Sequence, residues 1–127
     1  MPRFSARSAS RLAECHKDLQ RVMNAAIQEV DFTVLCGHRG KAEQDAAVAA
    51  GNSKLRWPKS KHNKKPSLAV DVAPWPIDWN NRARFKALAK VILAEAAALG
   101  ISLRWGGDWN SDGDDSDGWD LPHFELR

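Results

Sequence analysis

The first part of the chain carries a helical spacing of apolar residues. From Ser10 to about Glu29 they recur every three or four positions, which is the spacing of one face of an α-helix. Ser8 or Ser10 can cap this helix, because a serine hydroxyl accepts a hydrogen bond from a backbone N–H of the first turn. The pattern predicts one long amphipathic helix, whose apolar face carries Leu12, Cys15, Leu19, Val22, Ile27 and Val30.

A strand, a short helix and a long loop are predicted next. The segment from Asp31 to Cys36 alternates and is rich in β-forming residues, which indicates a strand. A short helix follows from Ala42 to Ala50 and is closed by Gly51. Residues 51–67 are basic, contain two prolines and follow neither period, so they form a long loop of the kind that often carries function.

The segment from Leu68 to Ala73 is a predicted strand with two different faces. Leu68, Val70 and Val72 point one way, while Asp71 and two alanines point the other, because side chains alternate along a strand. The aspartate therefore stands on a face that small side chains keep open.

A second long helix is predicted after Asn80 or Asn81, either of which is a suitable N-cap. It ends at Gly100, a residue that favours the position just beyond a helix C-terminus. Its apolar stripe consists of Phe85, Leu88, Ile92, Ala96 and Leu99.

The C-terminal part is predicted to hold two further strands. One covers Ile101 to Trp105, and a Gly- and Asp-rich loop over 106–118 follows it. The last strand runs from His123 to Leu126, with Phe124 facing inward. By alternation, His123 and Glu125 share the opposite face of that strand.

These elements predict an α+β fold: a small antiparallel sheet packed with two long helices and one short helix. Helices and strands do not alternate regularly enough for a parallel βαβ sheet. A length of 127 residues with 43% apolar content suits a single domain over residues 1–127. The two cysteines, Cys15 and Cys36, are predicted to be structural thiols, because each has apolar neighbours.

The sequence contains neither a run of about 18 apolar residues nor the apolar core of a signal peptide. We therefore expect synthesis in the cytoplasm and no stable association with a membrane. The net charge is only +3, but basic residues crowd the stretch from Lys54 to Lys65 and acidic residues the stretch from Asp108 to Asp120. The basic stretch permits one alternative function, a non-catalytic binder of nucleic acid or wall polymer.

His62, Asp71 and His123 are candidate metal ligands. A catalytic zinc ion takes three protein ligands of this kind and leaves a fourth position for water. Each residue alone also has an ordinary interpretation: a solvated loop histidine, a hydrogen-bonded strand aspartate and a surface histidine. The His-Glu-x-x-His signature of zincins is absent, so any ligands must converge from distant segments.

Three motifs connect these residues to a known family: Ser60-Lys61-His62, the segment from Ser67 to Pro74, and Asp120-Leu121-Pro122-His123. Together with supporting stretches over nearly the whole chain, they resemble the VanY-like D-Ala-D-Ala carboxypeptidases and, more closely, phage L-alanyl-D-glutamate endolysins. The spacer between His62 and Asp71 is two residues longer here than in many members of that family. A loop can absorb this extension, which falls near Lys64.

The resemblance implies zinc bound by His62, Asp71 and His123. It also implies that the carboxylate of Asp120 is the general base and that Arg39 is aimed at the substrate. His16 and His38 are expected to be surface or packing residues. Six tryptophans flank the proposed site segments, and at least half of them are expected to be ordinary core residues. The Asp112–Asp120 run could hold calcium, although it lacks the spacing of an EF-hand, and a solvated loop is preferred.

The expected function is zinc-dependent hydrolysis of the L-alanyl-D-glutamate bond in bacterial peptidoglycan. The nearest alternative is a D-Ala-D-Ala carboxypeptidase on the same scaffold, which would use the same metal chemistry. The expected partner is the peptidoglycan stem peptide, without nucleic acid, and the chain is expected to be a monomer. It would act on the wall in the periplasm, after passing through a phage-made membrane lesion.

Overall fold

A computed structural model of the chain describes residues 2–108 and 120–127. Within them, four α-helices, one short 3-10 turn and four strands follow one another along the chain. The elements are α1 (Ala6–Leu12), α2 (Lys17–Ala26), β1 (Phe32–Cys36), α3 (Lys41–Ala49), the 3-10 turn (Lys61–Asn63), β2 (Ala69–Pro74), α4 (Arg82–Ala98), β3 (Leu103–Trp105) and β4 (His123–Leu126). None of the described helices is long and apolar enough to cross a bilayer.

The four strands form one antiparallel sheet in the order β1-β2-β4-β3. The predicted α+β class with a small antiparallel sheet is confirmed. The central pair, β2 and β4, sets Asp71 opposite His123, and the pair of β3 and β4 sets Arg104 opposite Glu125. Residues paired in this way share one face of a sheet, so these four side chains belong to the same surface.

The opposite face of the sheet carries the hydrophobic core. Val70, Val72 and Phe124 are fully buried there. They belong to one apolar cluster with residues of α2 and α4, the two helices that pack against each other. Gly100 follows α4 with a φ of 71°, the left-handed conformation that glycine adopts at a helix end without strain.

The prediction of one helix from Ser10 to Glu29 is wrong, because the segment forms two helices. The chain leaves helical geometry around Cys15, where the backbone pairs with Ser67: His16 N–H donates to the Ser67 carbonyl at 2.8 Å, and Ser67 N–H donates to the Glu14 carbonyl at 2.9 Å. These long-range hydrogen bonds replace the helical ones. The N-caps are accordingly Ser5 for α1 and His16 for α2, not the two serines predicted.

Both cysteines are free thiols. Burial raises the pKa of the Cys15 thiol to about 12, with a smaller contribution from the neighbouring Cys36. A buried thiol with so high a pKa is unreactive at neutral pH, which agrees with the structural role predicted for Cys15.

Candidate metal centre and active site

Three possible metal-ligating atoms converge at the centre of the polar sheet face. The Nε2 atom of His62 lies 3.2 Å from Asp71 Oδ1 and 3.3 Å from His123 Nδ1, and His123 Nδ1 lies 3.1 Å from Asp71 Oδ1. Asp71 and His123 meet because β2 and β4 pair at these positions. The three residues form the one group of this kind among the described residues.

The outer nitrogen of each histidine has its own hydrogen-bond acceptor. His62 Nδ1–H donates to the Gly37 carbonyl at 2.7 Å, and His123 Nε2–H donates to Glu125 at 2.8 Å. Each bond fixes the tautomer, so the inner nitrogen of each ring presents a lone pair to Asp71. Lys61 pairs with the same Glu125 carboxylate at 3.2 Å.

His62 lies in the 3-10 turn, and Ser60 caps the start of this turn. The Ser60 hydroxyl accepts from His62 N–H at 3.2 Å, and Ser60 N–H donates to the Asn63 side chain at 3.0 Å. The His62 carbonyl accepts from Arg39 N–H at 2.7 Å, which ties the turn to the segment after β1. Beyond the turn, the residues of the two-residue extension, including Lys64, are exposed.

Facing lone pairs in a buried site favour a cation between them. Burial alone would lower the pKa of His62, but hydrogen bonds that the protonated ring donates to Asp71 and Cys36 raise it to about 10. Burial likewise opposes protonation of His123, whose pKa rises to about 8 because of Asp71 and Glu125. Burial alone would raise the pKa of Asp71, yet the two histidines hold it well below its usual range. A bound proton and a bound metal ion satisfy the same demand for positive charge.

Asp120 lies at the edge of this group, with Oδ2 at 3.9 Å from His123 Nδ1. Its backbone is held by Gly106, the residue after β3: Asp120 N–H donates to the Gly106 carbonyl at 3.2 Å, and Gly106 N–H donates to the His123 carbonyl of β4 at 2.8 Å. A Cβ atom at Gly106 would overlap the Asp120 carbonyl, so this approach requires glycine. Burial, and then the charge of Asp71, raise the pKa of Asp120 to about 6.

Arg39 reaches the site from the segment between β1 and α3. Its Nη2 lies 3.5 Å from Asp71 Oδ2, and its Nη1 donates to Gln44 at 2.9 Å. Gln44 is fully buried and also accepts from Asn63 at 3.2 Å, so it connects Arg39 to the turn that carries His62. No role for Gln44 is predictable from the sequence, because a buried glutamine on a short helix has no distinctive spacing.

Two cavities open from this group. One, of about 490 Å³, is lined by the metal-ligand candidates and by basic residues, including Lys54, Lys59 and Arg104. The other, of about 550 Å³, is lined by Leu35, Trp79 and Pro122 among others. The two cavities share Arg39, Asn52, Asp71 and Asp120, so the open space continues on both sides of the aspartates.

His16 and His38 lie outside the group of metal-ligand candidates. His16 caps α2, and the His38 backbone N–H donates to Glu14, as expected for residues outside the site. Trp105 is buried against Phe124, whereas Trp79 is 59% exposed beside the second cavity. Residues 109–119, with Trp109, Trp119 and the candidate calcium loop from Asp112 onward, lie outside the described residues.

Comparisons with known proteins agree with this geometry. The family model described as phage L-alanyl-D-glutamate peptidase matches residues 1–127. The chain belongs to this family. It is 38% identical to the L-alanyl-D-glutamate peptidase of Escherichia phage T5, over 98% of this chain and 97% of that protein. The crystal structure of the L-Ala D-Glu endopeptidase ChiX of Serratia marcescens matches with a TM-score of 0.77 and 33% identity, over 98% of this chain and 89% of that one.

Family membership makes the chain a peptidase and confirms the resemblance drawn from its motifs. The structure brings five residues from four separate segments of the chain into one site: Arg39, His62, Asp71, and Asp120 with His123.

Proposed function

We propose that this chain is a zinc-dependent peptidase that hydrolyses the L-alanyl-D-glutamate bond of peptidoglycan stem peptides. His62, Asp71 and His123 hold the metal ion, Asp120 is the general base, and Arg39 stabilises the developing negative charge. The observation that carries the proposal is the triangle of ligand atoms, with sides of 3.1 to 3.3 Å.

The ligand set suits zinc in composition and in spacing. Zinc bonds of 2.0 to 2.1 Å in tetrahedral geometry separate neighbouring ligand atoms by about 3.3 Å. Two neutral imidazoles and one carboxylate leave one unit of net positive charge on a bound Zn²⁺. When bound, such an ion polarises a carbonyl group and makes water more acidic.

Asp120 is suited to move the proton of the reaction. As a carboxylate it accepts a proton from the attacking water, and it then gives that proton to the amine nitrogen that leaves. A pKa raised to about 6 suits both steps, because the group is ionised at neutral pH and yet holds a proton better than an ordinary aspartate.

Arg39 supplies a positive charge next to Asp71 Oδ2, whereas the two histidines contact Oδ1. Gln44 holds one end of its guanidinium, so the group needs little reorganisation when charge develops on the scissile carbonyl oxygen. The contact between Arg39 Nη2 and Asp71 Oδ2 is 3.5 Å long and therefore weak. A substrate oxygen can replace this carboxylate as the partner of Nη2, while Nη1 stays on Gln44.

The open space on both sides of the aspartates favours cleavage inside a peptide over removal of a terminal residue. A carboxypeptidase needs a closed pocket for one residue and its terminal carboxylate, whereas an endopeptidase needs a groove for chain on either side. The first cavity takes in part of the basic stretch, which accounts for these lysines without a nucleic-acid partner.

We further propose one catalytic domain over residues 1–127 that acts as a monomer on the wall, in the periplasm of the host. The family and its phage relative support action on the cell wall.

Digestion of purified peptidoglycan tests the activity and the bond position together. Labelling of newly exposed amines, followed by mass spectrometry, should reveal N-terminal D-glutamate and uncut glycan strands. Release of free D-alanine without new glutamate amines would favour the carboxypeptidase instead. A strong chelator should stop the reaction and added Zn²⁺ should restore it, whereas digestion that persists after metal removal would contradict the metal site.

A further inference from the structure

Arg104 lies on the same sheet face as the proposed metal ligands. It is paired with Glu125 across β3 and β4, and Glu125 contacts His123 on that face. The row of Arg104 and Glu125 is two residues along the strands from the row of Asp71 and His123, a distance of about 7 Å. Arg104 also lines the cavity that contains the site.

The guanidinium of Arg104 has no hydrogen-bond acceptor among the described residues. Its Nε atom is buried and unpaired. Its partner across the strands, Glu125, already contacts His123 at 2.8 Å and Lys61 at 3.2 Å. Arg39, the other arginine that lines this cavity, is held by Gln44 and Asp71. A buried, unpaired guanidinium nitrogen is costly, which points to a partner supplied by a ligand.

The proposed substrate carries a suitable group at this position. A D-glutamate that follows the scissile bond has two carboxyl groups, and only one of them continues the stem peptide. The other remains as a free carboxylate within a few bonds of the leaving nitrogen. A guanidinium binds a carboxylate through two parallel hydrogen bonds, which gives geometric selectivity as well as affinity.

We propose that Arg104 binds this free carboxylate and so determines the specificity for glutamate after the scissile bond. The inference rests on the proposed function and deepens it. It assigns the part of the substrate that follows the scissile bond to the cavity of about 490 Å³ that Arg104 lines. The cavity beside Trp79 then receives the side that precedes the bond.

The test compares two stem peptides that differ in one group: the natural peptide, and the same peptide with the free glutamate carboxylate converted to a carboxamide. The wild-type enzyme should cleave the acid with a kcat/KM roughly 10- to 100-fold above that of the amide, mainly through KM. Arg104→Gln should lower kcat/KM for the acid to about the value for the amide and leave the amide almost unchanged. Arg104→Lys should recover part of the preference, since it keeps the charge but not the paired geometry.

Two further variants identify the cause. Lys90→Gln removes one positive charge from the exposed side of α4 and should leave the preference intact. Lys59→Gln removes a charge from the same cavity, and an equal loss of preference there would overturn the assignment in favour of a diffuse positive field. Thermal unfolding of Arg104→Gln checks its fold, and the amide substrate checks that its catalytic site is intact.

The outcomes separate this inference from the proposed function. Equal cleavage of acid and amide by the wild type would overturn the role of Arg104 and leave the peptidase assignment standing. Cleavage of neither peptide, with peptidoglycan also untouched, would overturn both.

Discussion

The two faces of the sheet differ in how their side chains are satisfied. On the face towards the helices, Val70, Val72 and Phe124 are fully buried in one apolar cluster. On the other face, Asp71 and His123 alternate with these same residues along the same two strands, and each has specific polar partners at 2.8 to 3.5 Å. A single pair of strands therefore carries the core and the candidate site in alternate positions.

This difference indicates how substitutions should act on each face. The packing of apolar side chains depends on their volume, and these contacts have no strict directional requirement. A substitution on that face therefore mainly alters the free energy of unfolding. A polar site depends on the position of individual atoms, so a change there mainly alters binding and turnover. Variants on each face test whether effects on stability and effects on turnover separate in this way.

The largest effect is expected from the histidine ligands. His62→Ala and His123→Ala should reduce zinc from about one ion per chain to nearly none and abolish turnover, because two ligands cannot hold the ion well. Metal analysis of the purified variants measures this. The control is His16→Asn, which removes a histidine outside the site and keeps a residue that can cap α2. Zinc retained in either alanine variant would remove that histidine from the ligand set.

The next effect is expected at Asp120. Asp120→Asn should keep zinc but slow turnover by roughly 10²- to 10⁴-fold, because the amide has nearly the same shape and cannot accept the proton. Metal content and the rate of peptide hydrolysis are measured on the same sample. If zinc is lost to the same extent as in His123→Ala, Asp120 is a ligand and another group must serve as the base.

A smaller effect is expected at Arg39. Arg39→Ala should fold, retain zinc and slow hydrolysis about a hundredfold or more, the scale for loss of one donor to a developing oxyanion. Arg39→Lys keeps the charge and should lose less. Turnover that is unchanged in Arg39→Ala would leave Arg39 only as a partner of Gln44 and Asp71.

Alternation along the strands predicted part of the site from the sequence. It placed Asp71 among alanines and His123 on one face with Glu125, and the structure has the two residues of β4 in contact. Strand periodicity is a local property, so it can be read from a single segment. Local periodicity, helical for α4 and alternating for the final strand, likewise predicted these two elements and the α+β class.

Contacts between distant segments were not predictable. The break between α1 and α2 depends on backbone pairing with Ser67, more than fifty residues away, and nothing in the helical spacing reveals it. The convergence of His62 on β2 depends on the Gly37 carbonyl and the cap at Ser60, both outside any periodic segment. Only the motifs shared with the family identified His62 beforehand.

The smallest effect on turnover is expected on the core face. Val72, which is paired with Val34 between β1 and β2, is fully buried. Val72→Ala removes two methyl groups and should lower the free energy of unfolding by about 1 to 3 kcal/mol. Although Asp71 is its immediate neighbour in the chain, zinc content and turnover should stay near wild type at temperatures where the variant is folded.

Denaturant unfolding and peptide hydrolysis, measured on the same preparation, test this last prediction. Val48→Ala is the matched control: Val48 is half-buried on α3 and stands outside the core cluster, so the same truncation should change the free energy of unfolding little. Alanine also favours a helix over valine, which offsets part of the lost contact there. If Val72→Ala instead lost zinc or turnover while still folded, packing on the core face would set the position of Asp71, and the two faces would not be separable.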